Sequence, residues 1–183
     1  MSFAKFKLAN GEFAVLTLTE PWATLVVMGA KEWETRSWST SYRGLLLIHA
    51  AKNMPRYAQA ACLSEPFESV LLGAGFKFDI HPDSIGGKSA AHFGFNLGSI
   101  IGAVDLVDTR ATDSLASDLR KLDTPRARQE LAFGNYDYNR RAFRLENPRR
   151  FERPIPVKGA LGIWALTGEH AEHAREQLAA VTP

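Results

Sequence analysis

The run YRGLLLIHAA, Tyr42 to Ala51, constrains the fold of this chain more than any other stretch. After its first two residues it is almost wholly apolar. That pattern suits a central strand buried on both faces, for which the rest of the chain must supply cover.

Other segments read as its partners. FAVLT, Phe13 to Thr17, is rich in β-formers, and Thr19, Glu20 and Pro21 then supply a helix start with a first-turn proline. The short helix that follows closes at Gly29 and places Trp22, Leu25, Val26 and Gly29 on one face, directed at the sheet. Pro55 to Leu63 and Ser64 to Leu72 read as two helical pieces, because Pro66 fits a first turn and would break one continuous helix. LGSIIGAVDLVD, Leu97 to Asp108, is a strand whose glycines at 98 and 102 permit sharp curvature. Helices are expected over Asp113 to Leu122 and from Thr124 to about Gly134, the latter opened by Thr124 and Pro125. Arg140 to Glu146 and Ala160 to Thr167 read as strands, with Asn147 and Pro148 turning the chain between them. Residues 169–180 have helical composition, and Phe76 to Asn96 reads as a long surface loop with room for one short strand.

No repeat or linker divides the chain, so residues 1–183 are expected to form a single domain with its core over about 13–167. Strands interspersed with helices, without a regular βαβ rhythm, indicate an α+β fold on a small curved sheet or barrel. A single cysteine, Cys62, excludes an intramolecular disulfide. No apolar run nears the roughly 20 residues that span a bilayer, and the N-terminus lacks a signal-peptide core. A cytoplasmic protein without a membrane partner is the expectation.

The candidate chemistry begins at GAKEWETR, Gly29 to Arg36. If Glu32 to Trp38 is extended, Glu32, Glu34, Arg36 and Trp38 share one face and Trp33, Thr35 and Ser37 the other. Glu34 and Arg36 then stand side by side. On an ordinary strand such a pair is a partly exposed ion pair worth about 0 to 1 kcal/mol. It becomes a binding site if Lys31 sits at the mouth of the strand, Glu34 holds Arg36 in one rotamer, and the two cations offer fixed donors to a phosphate or carbonyl. The Gly29 turn would let a ligand approach the backbone closely.

Net charge is only +2, yet Asn139 to Lys158 holds seven basic residues against two acidic ones. Tyr136, Tyr138, Phe143 and Phe151 interleave with that run. The mixture is the one expected where phosphates are neutralised and bases rest on aromatic faces, and equally the one expected of a solvated basic face.

Other motifs fall short. GGKS, Gly86 to Ser89, resembles the end of a phosphate-binding loop, but Pro82 stands where the first glycine belongs. His81, His92, His170 and His173 lack acidic or cysteine partners at ligand spacing, so neither a metal nor a cofactor is expected. His49 and Cys62 read as core positions.

Gly29, Lys31, Glu34 and Arg36 form G-x-K-x-x-E-x-R, preceded by EPWATLVVMG and followed by SYRGLLLIHAAK. This pattern resembles the ASCH (activating signal cointegrator homology) domain, a branch of the PUA-like superfamily. GSIIGAVDLVD is similar to the family's central strand, and ENPRRFERPIPVKGALGIWAL to its closing segment. The resemblance thus covers nearly all of residues 13–167.

What the resemblance implies is a small mixed β-barrel flanked by helices, with the motif lining a cleft that binds RNA or another single-stranded nucleic acid, or a nucleoside-like small molecule. Lys31 and Arg36 would be donors to phosphate or base. Glu34 would orient them or accept from an exocyclic amine, Trp22 would form cleft wall beside Gly29, and Arg43, Lys52 and Lys158 would form the rim. One departure is Glu20, where the family pattern leads one to expect glutamine. The alternative is a hydrolase acting on RNA or a modified nucleoside, with Glu34 as general base and a desolvated Lys31 activating the nucleophile or stabilising an oxyanion. Some small relatives resemble amidohydrolases that deacetylate N4-acetylcytidine with a lysine, a threonine and a glutamate. Their threonine falls at Glu34, so that set does not transfer intact.

Overall fold

The computed structural model describes residues 8–78 and 93–181. Most of the Phe76 to Asn96 loop, with GGKS, His81 and His92, lies outside the described residues. Within them the order is β1 (Phe13–Leu18), α1 (Trp22–Val27), β2 (Trp33–Arg36), β3 (Gly44–Ala50), α2 (Arg56–Cys62) and α3 (Phe67–Gly73). Then come β4 (Ser99–Ala111), α4 (Thr112–Leu122), α5 (Pro125–Phe133), β5 (Arg141–Pro156), β6 (Ile163–Leu166) and α6 (Gly168–Val181).

The strands form one mixed sheet in the order β2-β5-β4-β3-β1-β6. Among the described residues only the β1–β3 pair is parallel. As the apolar run requires, β3 is central: Leu46 and Ile48 pack to one face with Leu16 and Val26, and Leu47 to the other with Val15 and Ile100. Helix α1 covers the first face and α6, through Ala171 and Ala174, the second. A side cluster joins Trp22 and Leu25 to α2, α3 and Phe133. So Trp22 and Leu25 of the expected sheet-facing helix face turn instead to these helices, while Val26 keeps the sheet.

The expected barrel is not closed. The curvature is there: β4 and β5 are 13 and 16 residues long and pair through register shifts at Ile100/Gly102, Ala103/Asp105 and Leu106/Asp108. Closure also needs the two edges to pair, and the edge strands β2 and β6, four residues each, share no ladder.

Asn147 and Pro148 do not end a strand. They are the two residues that oppose Val104 in a bulge, since Ala103 pairs with Arg149 but Asp105 with Glu146. Asn147 adopts φ 50°, and its amide reaches Asp105 Oδ2 at 2.8 Å. The proline, which cannot donate to a ladder, leaves it here and fills the space over Gly29.

Candidate functional site

Strand β2 pairs only with β5, in the register Glu34↔Phe143 and Arg36↔Arg141. Its Trp33 packs against Leu115, Leu119 and Ala127 of α4 and α5. With that face anchored, Glu34 and Arg36 project to the other, and Arg36 Nη1 lies 3.5 Å from Glu34 Oε1. The guanidinium also sits over the Trp38 ring, 5.6 Å from its centroid.

Lys31 lies beneath the strand with no exposed side-chain surface. Its ammonium donates to the Trp33 carbonyl and stands 3.6 Å from Glu130 Oε1 and 3.9 Å from Glu34 Oε2. Glu130, from α5, also accepts from the backbone N–H groups of Glu32 and Trp33 at 2.9 and 3.0 Å, and from the Tyr136 hydroxyl at 3.4 Å. One ammonium thus serves two buried carboxylates, with Arg36 as the second cation. Such a cluster survives burial only because each charge is paired and hydrogen-bonded. Burial, then the nearby Glu130 and Glu34 carboxylates, pushes the Tyr136 phenol above its usual range, so it remains a donor.

Glu34 and Arg36 line a cavity of about 400 Å³ with Trp22, Tyr57, Asn135 and Arg140. The Trp22 indole donates to the Phe133 carbonyl at 2.8 Å and makes a tilted contact with Tyr57, centroids 6.1 Å apart. Arg140 donates to the Thr35 and Asn135 carbonyls at 3.3 and 3.2 Å and has no carboxylate partner among the described residues. Chemically the cavity offers two aromatic surfaces, a carboxylate acceptor backed by an ammonium, and two guanidinium groups.

The other expected site residues lie elsewhere. Gly29 (φ 72°) has the Pro148 ring over it, where a β-carbon would stand 2.9 Å from Cγ, so that proline occupies the close approach foreseen for a ligand. Arg43 donates to the Thr40 and Tyr42 carbonyls, 3.9 Å from Asp108. Lys52 and Lys158 come together in a different groove, with His49. Glu20 does not face the cavity: it is buried and accepts from the Thr24 N–H and hydroxyl at 3.0 and 2.9 Å. Burial raises its pKa to about 7 against those bonds and the Arg150 charge.

Two members of the basic run are held in internal ion pairs. Arg149 reaches Asp105 at 2.5 Å, and Arg144 is held by Glu32 and by Glu146. Phe143 and Phe151 are core residues, because strand alternation turns them inward, and only Tyr138 among the interleaved aromatics is well exposed. Among the described residues no three His, Cys, Asp or Glu side chains gather as a metal would require, and no helix is long and apolar enough to cross a membrane.

Tyr57, Glu130 and Asn135 were not legible as site residues, and Tyr136 carried a signal only as one of the aromatics interleaved with the basic run. Glu130 contacts Trp33 across 97 positions of sequence, and nothing in PRARQELAF marks it. Arg140 carried a signal only as one member of the basic run.

The comparisons with known proteins agree with the sequence pattern. Activating signal cointegrator 1 from Homo sapiens and from Mus musculus are 28% and 27% identical over 163 residues, 89% of this chain. That region is 24% of their length, so the chain spans about a quarter of the curated relatives it matches. The crystal structure of ASCH from Zymomonas mobilis aligns with a TM-score of 0.48 at 15% identity, covering 95% of this chain and 98% of that one. A mutant form of the Zymomonas mobilis protein gives 0.47 at 16% identity over 89% and 96%. The ASCH domain model itself matches residues 16–155, most of the sequence, and the chain therefore belongs to the ASCH domain family.

Proposed function

We propose that the cavity beside β2 binds single-stranded RNA, taking one unstacked base and its adjoining phosphates. The observation that carries this reading is the meeting of Glu34, Arg36 and Arg140 with Trp22 and Tyr57 in one cavity of nucleotide size. A base rests on the aromatic surfaces, the Glu34 carboxylate accepts from an exocyclic amine, and the guanidinium groups donate to phosphate. Lys31 acts from below as a positioning residue, its ammonium 3.9 Å from the Glu34 carboxylate. Membership in the ASCH family, with the motif intact, supports the same reading.

Fluorescence anisotropy with a labelled single-stranded RNA tests it. Glu34→Gln and Arg36→Ala should each weaken binding by about tenfold, within the 1–3 kcal/mol of a base or charged contact. Tyr57→Ala, at a position 64% exposed, should cost a similar amount through lost stacking without disturbing the fold. Wild-type affinity in all three variants would overturn the assignment. Release of acetate or of shortened RNA in the same incubation, stopped by Glu34→Gln, would show instead a hydrolase in the same cavity.

A further inference from the structure

Among the described residues three glutamates are buried, and one of them differs from the other two. Glu20 accepts hydrogen bonds from the Thr24 N–H and hydroxyl, and Glu130 from the Glu32 and Trp33 N–H groups and the Tyr136 hydroxyl. Glu34, only 6% exposed, accepts none from the described residues. Its two cations stand off, Arg36 at 3.5 Å from Oε1 and Lys31 at 3.9 Å from Oε2. Nor is either oxygen sealed in, since the buried side-chain polar atoms left without a partner among those residues are His49 Nδ1 and Thr109 Oγ1. Both Glu34 oxygens are therefore open acceptors in the wall of the cavity beside β2.

A second wall group is fixed by the fold. The Asn135 side chain takes a hydrogen bond from the Asp137 N–H at 2.9 Å, and because a backbone N–H only donates, the atom used is Oδ1. That leaves the Asn135 amide nitrogen as a donor on a residue that lines the same cavity as Glu34. The wall thus offers two acceptors side by side and an amide donor, next to the rings of Trp22 and Tyr57.

We propose that the base this cavity selects is guanine. The inference rests on the reading of the cavity as an RNA site and adds which nucleotide it holds. Two oxygens of one carboxylate are matched by two N–H groups on neighbouring atoms, the geometry of a bidentate pair. Of the four RNA bases only guanine has such an edge, N1–H beside the N2 amine, with the O6 acceptor next to it for the Asn135 amide. Adenine and cytosine bring one amine beside a ring nitrogen whose lone pair would face the second oxygen. Uracil has one N–H between two carbonyls. A guanidinium has the paired edge too, but its charge is repelled by Lys31, Arg36 and Arg140. Because buried acceptors left unmatched are costly, such a wall rejects the wrong base as well as favouring the right one.

The test is fluorescence anisotropy at fixed salt with a labelled oligouridine that carries guanosine, inosine, adenosine or cytidine at one central position, the unsubstituted strand serving as the uridine reference. Guanosine should bind about tenfold or more tightly than adenosine, cytidine or uridine. Inosine keeps N1–H and O6 but lacks the N2 amine, and should bind several-fold more weakly than guanosine. Both comparisons use the unaltered protein, so neither depends on a variant that folds. Asn135→Asp keeps an acceptor for the Asp137 N–H and turns the donor into an acceptor; it should lower guanosine affinity about tenfold and leave uridine within about twofold. Glu34→Gln should bring guanosine to the level of uridine. Equal affinity for the four bases, inosine binding as tightly as guanosine, or a guanosine preference kept in Glu34→Gln would each overturn the proposal. Equal binding of every base would leave the RNA reading standing, whereas binding of none would remove both.

Discussion

Lys31 underlies a cavity that it does not line. Its ammonium is shared by Glu34 and Glu130. Removing it strands two buried carboxylates, and breaking a buried pair typically costs about 3–5 kcal/mol. Lys31→Met should therefore lower the urea midpoint strongly, and adding Glu130→Gln should restore part of the loss; a variant as stable as the parent would mean the cluster is not coupled. Glu20 makes a pH prediction. Its folded pKa, raised to about 7 from 4.5, means that the folded state holds a proton the unfolded chain releases. The stability from the protonated form is full below about pH 4.5 and is lost as pH rises through about 7, a change of order 3 kcal/mol. In Glu20→Gln, which has no proton to lose, that component of the pH–stability curve should be absent. Parallel curves for the two proteins between pH 4 and 8 would refute the assignment.

At the scale of elements, the meeting of β4, β5 and α1 sets the shape of the sheet. A β-carbon at Gly102 would collide with the Arg149 carbonyl oxygen and stand 2.8 Å from Val27 Cγ1. Neither neighbour yields cheaply, since one is backbone inside a bulge and the other a buried β-branched side chain. Gly102→Ala should cost about 1–3 kcal/mol in chemical denaturation, against a few tenths or a gain for an unconstrained glycine. The elements themselves were well marked in the sequence. Thr124 and Pro125 signalled α5, and the Thr124 hydroxyl does accept from the Ala127 N–H, at 3.1 Å. Ser64 was a poorer guide: its hydroxyl donates back to the Ala61 carbonyl, and α3 starts later, after Pro66. The Asn147–Pro148 pair misled for a physical reason. Turn chemistry and bulge chemistry use the same residues, and only the partner strand decides between them.

For the whole molecule, the decisive quantity is how much of the basic charge remains available. With Arg144 and Arg149 paired internally, the cavity beside β2 presents Arg36 and Arg140 as its cations. Two neutralised phosphates on a single strand give a slope of log affinity against log salt of roughly −1.4. A slope steeper than about −4 between 50 and 300 mM salt would show that the basic run takes part as a track, against the pairing seen here.

What the sequence determined by itself was local: a central buried strand, the helix starts, a two-residue alternation that sets Glu34 beside Arg36, and a motif order that points to the ASCH family. These are readable because strand period, capping and proline geometry depend on near neighbours in the chain. The tertiary structure alone decided that the sheet stays open, that Lys31 lies buried under the strand, that Glu130 is its second carboxylate, and that Arg144 and Arg149 of the arginine run are neutralised. Each of those depends on which residues meet across about 40 to 110 positions of sequence, and long-range electrostatic pairing leaves no periodic trace for a reader of the chain to find.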